Sequence, residues 1–508
     1  MFEGLINSFE DITPIRRAGV VAAADPSSVL IRGLEVAASL GNRVAIETGP
    51  PGAAATGLRG GEIVALAEGC VRAMVYGPTE GLALGARAWL MRDPALRPGP
   101  GWLGQVVDAF GRPLQAAAEA ATPQFGGSGG SGGAGGLGPA EPGDRPATAL
   151  PTALQAALPP GPIAAPLLAS PPPAHLRRPL GARLSTGLAV LDTLLPVARG
   201  QRLGLFAGSG VGKSSLLAQL ARGMEADCVV LVLIGERGRE LGSFLRDGLG
   251  PEGRARSVTV VATADEAPLV KRRAAFTGMA IAEAFRDQGK HVLLLMDSLT
   301  RFAEAHRQIA LTAGETPSLR AYPPSTAALI AGLAERAGPG TAQPAAAASL
   351  AGAEAGGPGS AGAAGLMGAG QQGDITALFT VLVAGSDMEE PVADITRGTL
   401  DGHVILDRAI AERGRFPAID LRRSVSRALP GAASAEENRM IAQARAHIAA
   451  YEEALPMIQA GLYTVGADPT IDTARAAFPA LDALIAAPSP SIEESFGLLR
   501  GALAGRVP

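Results

Sequence analysis

Cysteine is nearly missing from this 508-residue chain. There are two, Cys70 and Cys228, and the second sits inside the apolar run Cys228-Val229-Val230-Leu231-Val232-Leu233. Two thiols so placed exclude a disulfide framework and a cysteine metal cluster, and they fit a reducing cytosol. Aromatic residues are scarce at 4 %, with two Trp and four Tyr, which argues against a stacking path for single-stranded nucleic acid. A basic excess is lacking as well: 44 Lys and Arg face 48 Asp and Glu, for a formal net charge of −4, so the footprint of a nucleic-acid binder is missing. No apolar run approaches the roughly 20 residues needed to span a bilayer. The start, Met1-Phe2-Glu3-Gly4-Leu5-Ile6, lacks the basic region and apolar stretch of a signal peptide. A soluble, cytoplasmic protein is expected, able to dock on a membrane through partners.

Glycine and proline, by contrast, are plentiful and unevenly spread. The length suggests about three domains. From Gly19 to about Leu90, runs such as Val44-Ala45-Ile46-Glu47-Thr48 and Glu62-Ile63-Val64-Ala65-Leu66 are punctuated by Gly41, Gly49, Gly60 and Gly69. That spacing predicts a small β-barrel within residues 1–95. Residues Gly126 to about Pro173 turn Gly/Ser-rich and then Pro/Ala-rich, with too few large apolar groups to offset their ordering entropy. They predict a flexible insertion inside a connector over residues 96–175. A second Ala/Gly-rich stretch covers about Gly338 to Gly373, and no structure is forced onto it.

Between these, residues 176–430 alternate apolar strand candidates with helical patterns. The strands are expected at Leu203–Ala207, Val229–Ile234, Val258–Val261, Val292–Met296 and Thr376–Val383, the mark of a mostly parallel sheet covered by helices. Residues 431–508 read as helical. Ser434 and Glu437 form a capping-box pair, Met440, Ala444, Ile448, Tyr451 and Leu455 recur at helical spacing, and Ser491 with Glu494 opens another helix.

The chemistry is concentrated after the strand Leu203-Gly204-Leu205-Phe206. There Ala207-Gly208-Ser209-Gly210-Val211-Gly212-Lys213-Ser214 reads as a phosphate-cradling loop opening a helix that continues through Ser215. Glycines let successive backbone N–H groups turn inward around a triphosphate, Lys213 adds a point charge, and the Ser214 hydroxyl can bind Mg²⁺. The strict pattern starts with Gly, and Ala207 takes that place as a small residue that still fits the turn. Hydrolysis also needs an acid for the Mg²⁺ shell and a group to orient water. Val292-Leu293-Leu294-Leu295-Met296-Asp297 ends a buried-type strand on a carboxylate, at the sheet edge where the phosphate loop lies. Leu233-Ile234-Gly235-Glu236-Arg237-Gly238-Arg239-Glu240 puts another acid past a neighbouring strand; Glu236 could polarise water or equally belong to a solvated charge run.

These residues, with Met296-Asp297-Ser298-Leu299-Thr300-Arg301, Ala321-Tyr322-Pro323-Pro324-Ser325, Asp401-Gly402-His403, Phe416-Pro417-Ala418-Ile419-Asp420 and Ser424-Val425-Ser426-Arg427, resemble the ATPases of type III export systems, relatives of the rotary ATP synthase catalytic subunit. Gly101-Trp102-Leu103-Gly104-Gln105-Val106-Val107-Asp108 extends the likeness into the first half. The flagellum-specific branch looks closest, and the virulence-secretion branch shares nearly all of the pattern. The resemblance implies an α/β fold: a RecA-like P-loop core with an N-terminal β-barrel and a C-terminal helical domain, assembled as a homohexamer with the site between neighbours. It implies ATP and Mg²⁺ as ligands. Glu236 matches the catalytic glutamate, with Arg237 beside it in the catalytic set. Lys213 and Ser214 match the phosphate and Mg²⁺ ligands, and Asp297 the metal-holding acid at the end of the second strand motif. Arg427 matches an arginine finger from the adjacent subunit, and Phe416 the aromatic that packs on adenine. Gly208, Ser209, Gly210, Val211, Gly212 and Ser215 complete the expected nucleotide contacts. The partners implied are export regulator and stalk proteins, export substrates with their chaperones, and a membrane export gate against whose inner face the protein docks; no nucleic acid is implied.

The long insertions after Leu114 and after Gly338 depart from that family's pattern. Other readings share parts of the site. A rotary synthase subunit usually carries Gly-Lys-Thr where this chain has Gly212-Lys213-Ser214. A ring helicase needs basic and aromatic residues along a strand path, and a regulatory non-catalytic subunit typically lacks the acid found at Glu236.

Overall fold

The computed structural model describes residues 17–49, 57–91, 95–114, 158–342, 372–383 and 387–505. Strands with one apolar face close on themselves at the start of the chain. β1 (Ala18–Ala24), β2 (Val29–Arg32), β3 (Arg43–Thr48), β4 (Gly57–Ala67), β5 (Cys70–Val75) and β6 (Arg87–Met91) form a closed antiparallel barrel in the order β1-β2-β5-β4-β3-β6. Its interior is filled from alternate positions, including Val29 and Ile31, Val44 and Ile46, and Val71, Ala73 and Val75, as the two-residue period of a half-buried strand requires. The expected barrel is therefore observed. It is tied to the following domain by an Arg272–Glu62 ion pair at 2.5 Å and by Arg72, which donates to the Thr312 carbonyl at 2.7 Å.

The second layer system is a nine-stranded sheet. Its strands are β7 (Val106–Val107), β8 (Arg202–Ala207), β9 (Cys228–Glu236), β10 (Ser257–Thr263), β11 (His291–Asp297), β12 (Gly338–Pro339), β13 (Asp374–Leu382), β14 (Gly402–Leu406) and β15 (Ile419–Ser426). They run in the order β15-β14-β8-β13-β11-β9-β10-β7, with β12 added on β13. Every pair from β14 to β7 is parallel, while β15 joins β14 antiparallel. The five strands expected from apolar runs are all present. Residues 229–234 are 0–3 % exposed, because helices cover both faces of a parallel sheet. Alternate residues feed two separate cores: Val230, Val232 and Ile234 enter one, and Val229, Leu231 and Leu233 the other.

Helices Lys213–Gly223, Pro268–Asp287, Leu299–Ala313 and Ser325–Arg336 follow the strands. Ser298 caps the third of them by accepting from the Arg301 N–H at 3.3 Å. Three helices, Ala435–Gln459, Pro469–Ala486 and Ile492–Leu503, close the chain. The Ser434–Glu437 capping box is formed, and Ser491 accepts from the Glu494 N–H. Ala444 and Ile448 are buried as the spacing predicts, and Tyr451 stacks on Phe478 with ring centroids 3.9 Å apart. Among the described residues no helix is long and apolar enough to cross a membrane.

One expectation changes. Residues 158–173, expected to share the flexible insertion, lie packed against their neighbours: Ala165 donates from its backbone N–H to the Leu96 carbonyl at 2.7 Å, and Trp102 Nε1 donates to the Pro159 carbonyl at 3.2 Å. Backbone hydrogen bonds and one buried Trp hold a Pro/Ala-rich segment that composition alone marks as loose. The earlier part of that insertion and residues 343–371 of the second lie outside the described residues. The ends of the second stretch are ordered, with Gly338 and Pro339 forming β12 against β13.

Candidate nucleotide site

The carboxyl edge of the sheet gathers the functional side chains. After β8 the chain turns through Gly210 at φ +78° and Gly212 at φ +86°, both in the left-handed region that only glycine occupies without strain. Gly212 has a second constraint, since a β-carbon there would come within 3.0 Å of the Phe416 ring. Val211 is buried in the core at 2 % exposure, so the loop offers backbone N–H groups at that position and no side chain. Ser214 and Ser215 open the helix, exposed to a cleft of about 630 Å³ that Gly208 and Ser209 also line.

Three of the expected residues converge. Lys213 Nζ lies 2.5 Å from Asp297 Oδ1 and 3.7 Å from Glu236 Oε1. The reason is topological: β9 and β11 are adjacent parallel strands, with Asp297 level with Leu233, so acids at or just past their ends reach the same edge. Asp297 is 2 % exposed, and Thr380 Oγ1 donates to its Oδ1 at 2.6 Å. Burial, and after it the Asp297 carboxylate, push Glu236 above the ordinary carboxylate range, with Lys213 pulling the other way. Gly235, at φ +73°, bends the chain into Glu236 and packs beneath Arg301, whose Cγ would lie 3.1 Å from an added β-carbon.

Two expected residues stand apart from this cluster. The Arg237 side chain is 82 % exposed at the mouth of the cleft, 3.5 Å from Glu240. Arg427 is exposed and donates to the Leu400 carbonyl at 3.0 Å. Its place follows from register: Ser426 pairs with Gly402 at the start of β14, whereas Leu406 at the end of β14 is level with Ala207 before the phosphate loop. Arg427 thus lies at the opposite end of β14 from its own chain's cluster. Phe416, just before β15, lies at the loop end and is 51 % exposed.

Sequence reasoning gave no role to Thr380, Gly235 or the Arg301–Glu304 pair, which is joined at 2.9 Å and lines the cleft. A polar residue inside the apolar run Thr376–Val383 was the available signal for Thr380.

The donor set suits a hard divalent cation. Ser214 offers a hydroxyl and Asp297 a carboxylate, both oxygen donors of the kind Mg²⁺ takes. Asp297 lines the adjoining cavity of about 930 Å³ while its Oδ1 is engaged by Lys213 and Thr380. Among the described residues no group of three or more His, Cys, Asp or Glu could hold a metal, so phosphate oxygens and water would complete the shell. That is the usual arrangement for Mg²⁺ at a nucleotide.

Comparison with known proteins places likenesses along most of the chain. The ATP synthase alpha/beta family, nucleotide-binding domain, matches residues 187–426, and the T3SS EscN ATPase C-terminal domain matches residues 433–488. A flagellum-specific ATP synthase of Caulobacter vibrioides is 40 % identical over 500 residues, covering 97 % of this chain and 98 % of that one. The assembled ATPase EscN of the enteropathogenic E. coli type III secretion system aligns over 96 % of this chain and 100 % of its own, with a TM-score of 0.74 and 32 % identity. The same ATPase in complex with its central stalk EscO gives a TM-score of 0.71 at the same coverage and identity.

Proposed function

The chain belongs to the family of flagellum-specific ATP synthases and type III secretion ATPases, and from that premise we propose that it hydrolyses ATP with Mg²⁺ to energise or prime protein export at the base of a flagellum. The observation that carries the reading is the Lys213 ammonium held between Asp297 and Glu236 beneath a glycine-rich loop.

The residues divide the work. Backbone N–H groups from Gly208 to Gly212 and the Lys213 ammonium receive the phosphates of ATP, their dipoles and charge fixed before the substrate arrives. Glu236 orients the attacking water and takes its proton; a carboxylate raised by burial is a better base at neutral pH than an ordinary one. Ser214 and Asp297 would hold Mg²⁺, which when bound neutralises charge on the phosphate oxygens. The exposed ring of Phe416 takes the adenine face, and Arg237 at the cleft mouth contacts the outer phosphates.

The reading extends to a ring of six copies. Likeness to an assembled relative supports it, as does the position of Arg427 away from its own phosphate loop. A guanidinium delivered from the neighbouring copy binds charge developing on the γ-phosphate. A central stalk protein is the partner that the EscN–EscO likeness favours. An export regulator, unfolded substrates with their chaperones, and the inner face of a membrane export gate complete the proposed setting.

Glu236→Gln tests the core of this. The amide keeps the shape of the side chain and loses the base, so nucleotide affinity is expected to stay unchanged while turnover falls roughly 10²–10⁴-fold. Near-normal turnover would remove Glu236 from its role.

A further inference from the structure

Strand β13 carries two threonines on one face among apolar neighbours, and each is fully buried. Thr376 and Thr380 are both 0 % exposed, while Ile375, Ala377, Phe379 and Val381 on the other face enter the apolar core. A buried hydroxyl is destabilising unless it is hydrogen-bonded, so each must have a partner. Thr376 has two, the Gly200 N–H at 2.9 Å and His291 Nε2 at 2.8 Å, at the amino end of the strand. Thr380, near the carboxyl end, donates to Asp297 Oδ1 at 2.6 Å. The contact follows from register: Met296 pairs with Phe379 on adjacent parallel strands, which sets Thr380 beside Asp297.

We propose that Thr380 is a positioning residue for the metal-holding acid. Lys213 and Thr380 both donate to Oδ1. Two donors converging on one oxygen from different elements restrict how the carboxylate can turn at the cavity that Asp297 lines. Lys213 cannot do this alone, because a bound triphosphate competes for its ammonium. Thr380 carries no charge for a phosphate to draw away, so its hydroxyl keeps its bond to the carboxylate in either state. Valine would fill the same volume in a strand, and the hydroxyl is what the site adds. Outer partners of a metal ligand commonly change metal affinity by 10–100-fold.

The proposal rests on the reading of Asp297 as the Mg²⁺-holding acid, and the experiment separates the two. In the full-length protein with a non-hydrolysable ATP analogue, Mn²⁺ binding is followed by loss of the free-ion paramagnetic resonance signal. Turnover is titrated with Mg²⁺ in parallel. Thr380→Val is expected to weaken Mn²⁺ binding and to raise the half-saturating Mg²⁺ roughly tenfold, with analogue binding in EDTA unchanged. Thr380→Ser, which restores the hydroxyl, is expected to return both values to those of the unmodified protein. If the valine variant does not fold, the contrast between Thr380→Ser and Thr380→Ala carries the same test. Equal metal affinity with and without the hydroxyl, while Asp297→Asn loses Mn²⁺, overturns the role of Thr380 alone. Unchanged Mn²⁺ binding in Asp297→Asn overturns the metal reading and this proposal with it.

Discussion

The ring of Phe416 lies against Gly212, close enough that a β-carbon on the glycine would come within 3.0 Å of Cδ1. The ring's outer face is open to solvent, since Phe416 is 51 % exposed. Two substitutions separate its roles. Phe416→Ala removes a stacking surface that is worth roughly 1–3 kcal/mol per base in aromatic contacts, so KM for ATP should rise with kcat nearly unchanged. Gly212→Ala forces a β-carbon into the ring at φ +86° and should abolish nucleotide binding. Steady-state kinetics and analogue binding check both. Equal KM values for Phe416→Ala and the unmodified protein would exclude the ring from base contact.

Arg427 offers a test by mixing. It sits at the end of β14 opposite its own phosphate loop, so a part in hydrolysis requires a second copy. Arg427→Ala is expected to lower turnover by roughly 10³-fold or more, the usual worth of an arginine finger, and Lys213→Ala to do the same from within the loop. A mixture of the two inactive proteins contains interfaces that pair an intact Lys213 with an intact Arg427. Turnover should reappear on mixing and rise with protein concentration. No recovery at any ratio would argue against delivery from a neighbour.

The sequence made some of this legible for clear physical reasons. Strands buried on both faces must be apolar throughout, so Val229–Ile234 and Val292–Met296 stood out, and the acids Glu236 and Asp297 were marked by where those runs stop. The β15 strand was not legible, because Arg422 and Arg423 interrupt it and its outer positions face solvent. Strand β7 is only Val106–Val107, too short for a period. Thr380 and Asp297 are 83 residues apart in the chain, and no local pattern encodes a contact between strands. Composition misled at residues 158–173: proline and alanine suggest looseness, but Arg336 Nη1 reaching the Leu167 carbonyl at 2.8 Å and the Trp102 bond to Pro159 are long-range attachments.

Two buried histidines predict acid sensitivity. His291 and His306 are 4 % and 8 % exposed, and burial first, with Arg199 and Arg272 next, pushes each down to about 4. An unfolded histidine titrates near its ordinary value of about 6.5. Between these values the unfolded chain binds protons that the folded chain does not, so stability falls as pH drops from about 6.5 to about 4, by roughly 3 kcal/mol per histidine at the low end. Urea midpoints measured from pH 7.5 down to pH 4.5 should decline steadily, and His306→Gln should flatten part of that slope. Its ring is bonded to Ser325 Oγ at 2.8 Å, and the amide can keep a similar contact without titrating in this range. An unchanged slope in the variant would mean that other groups carry the effect.

The second low-complexity stretch should be dispensable for catalysis. Its described ends meet: the Thr341 N–H and hydroxyl both donate to Gln372 Oε1, at 3.1 and 3.0 Å, and the Gly340 N–H donates to Asp374 Oδ1 at 3.1 Å. Arg178 fastens the same point by donating to the Gln372 carbonyl at 2.6 Å and to Asp374 at 2.7 Å. Asp374 is the first residue of β13, so this junction lies at the amino edge of the sheet, the full length of a strand from Lys213. A short Gly-Ser bridge replacing residues 343–371 spans ends that are already in contact. Shortening a loop lowers the entropy of closing it, so the melting temperature should hold or rise slightly, and ATP turnover of the isolated protein should stay within about twofold because the junction itself lies at the amino edge. A tenfold loss of turnover in a deletion variant with an unchanged melting temperature would show that the segment reaches the active edge or the neighbouring subunit, and would assign it a part in the catalytic cycle.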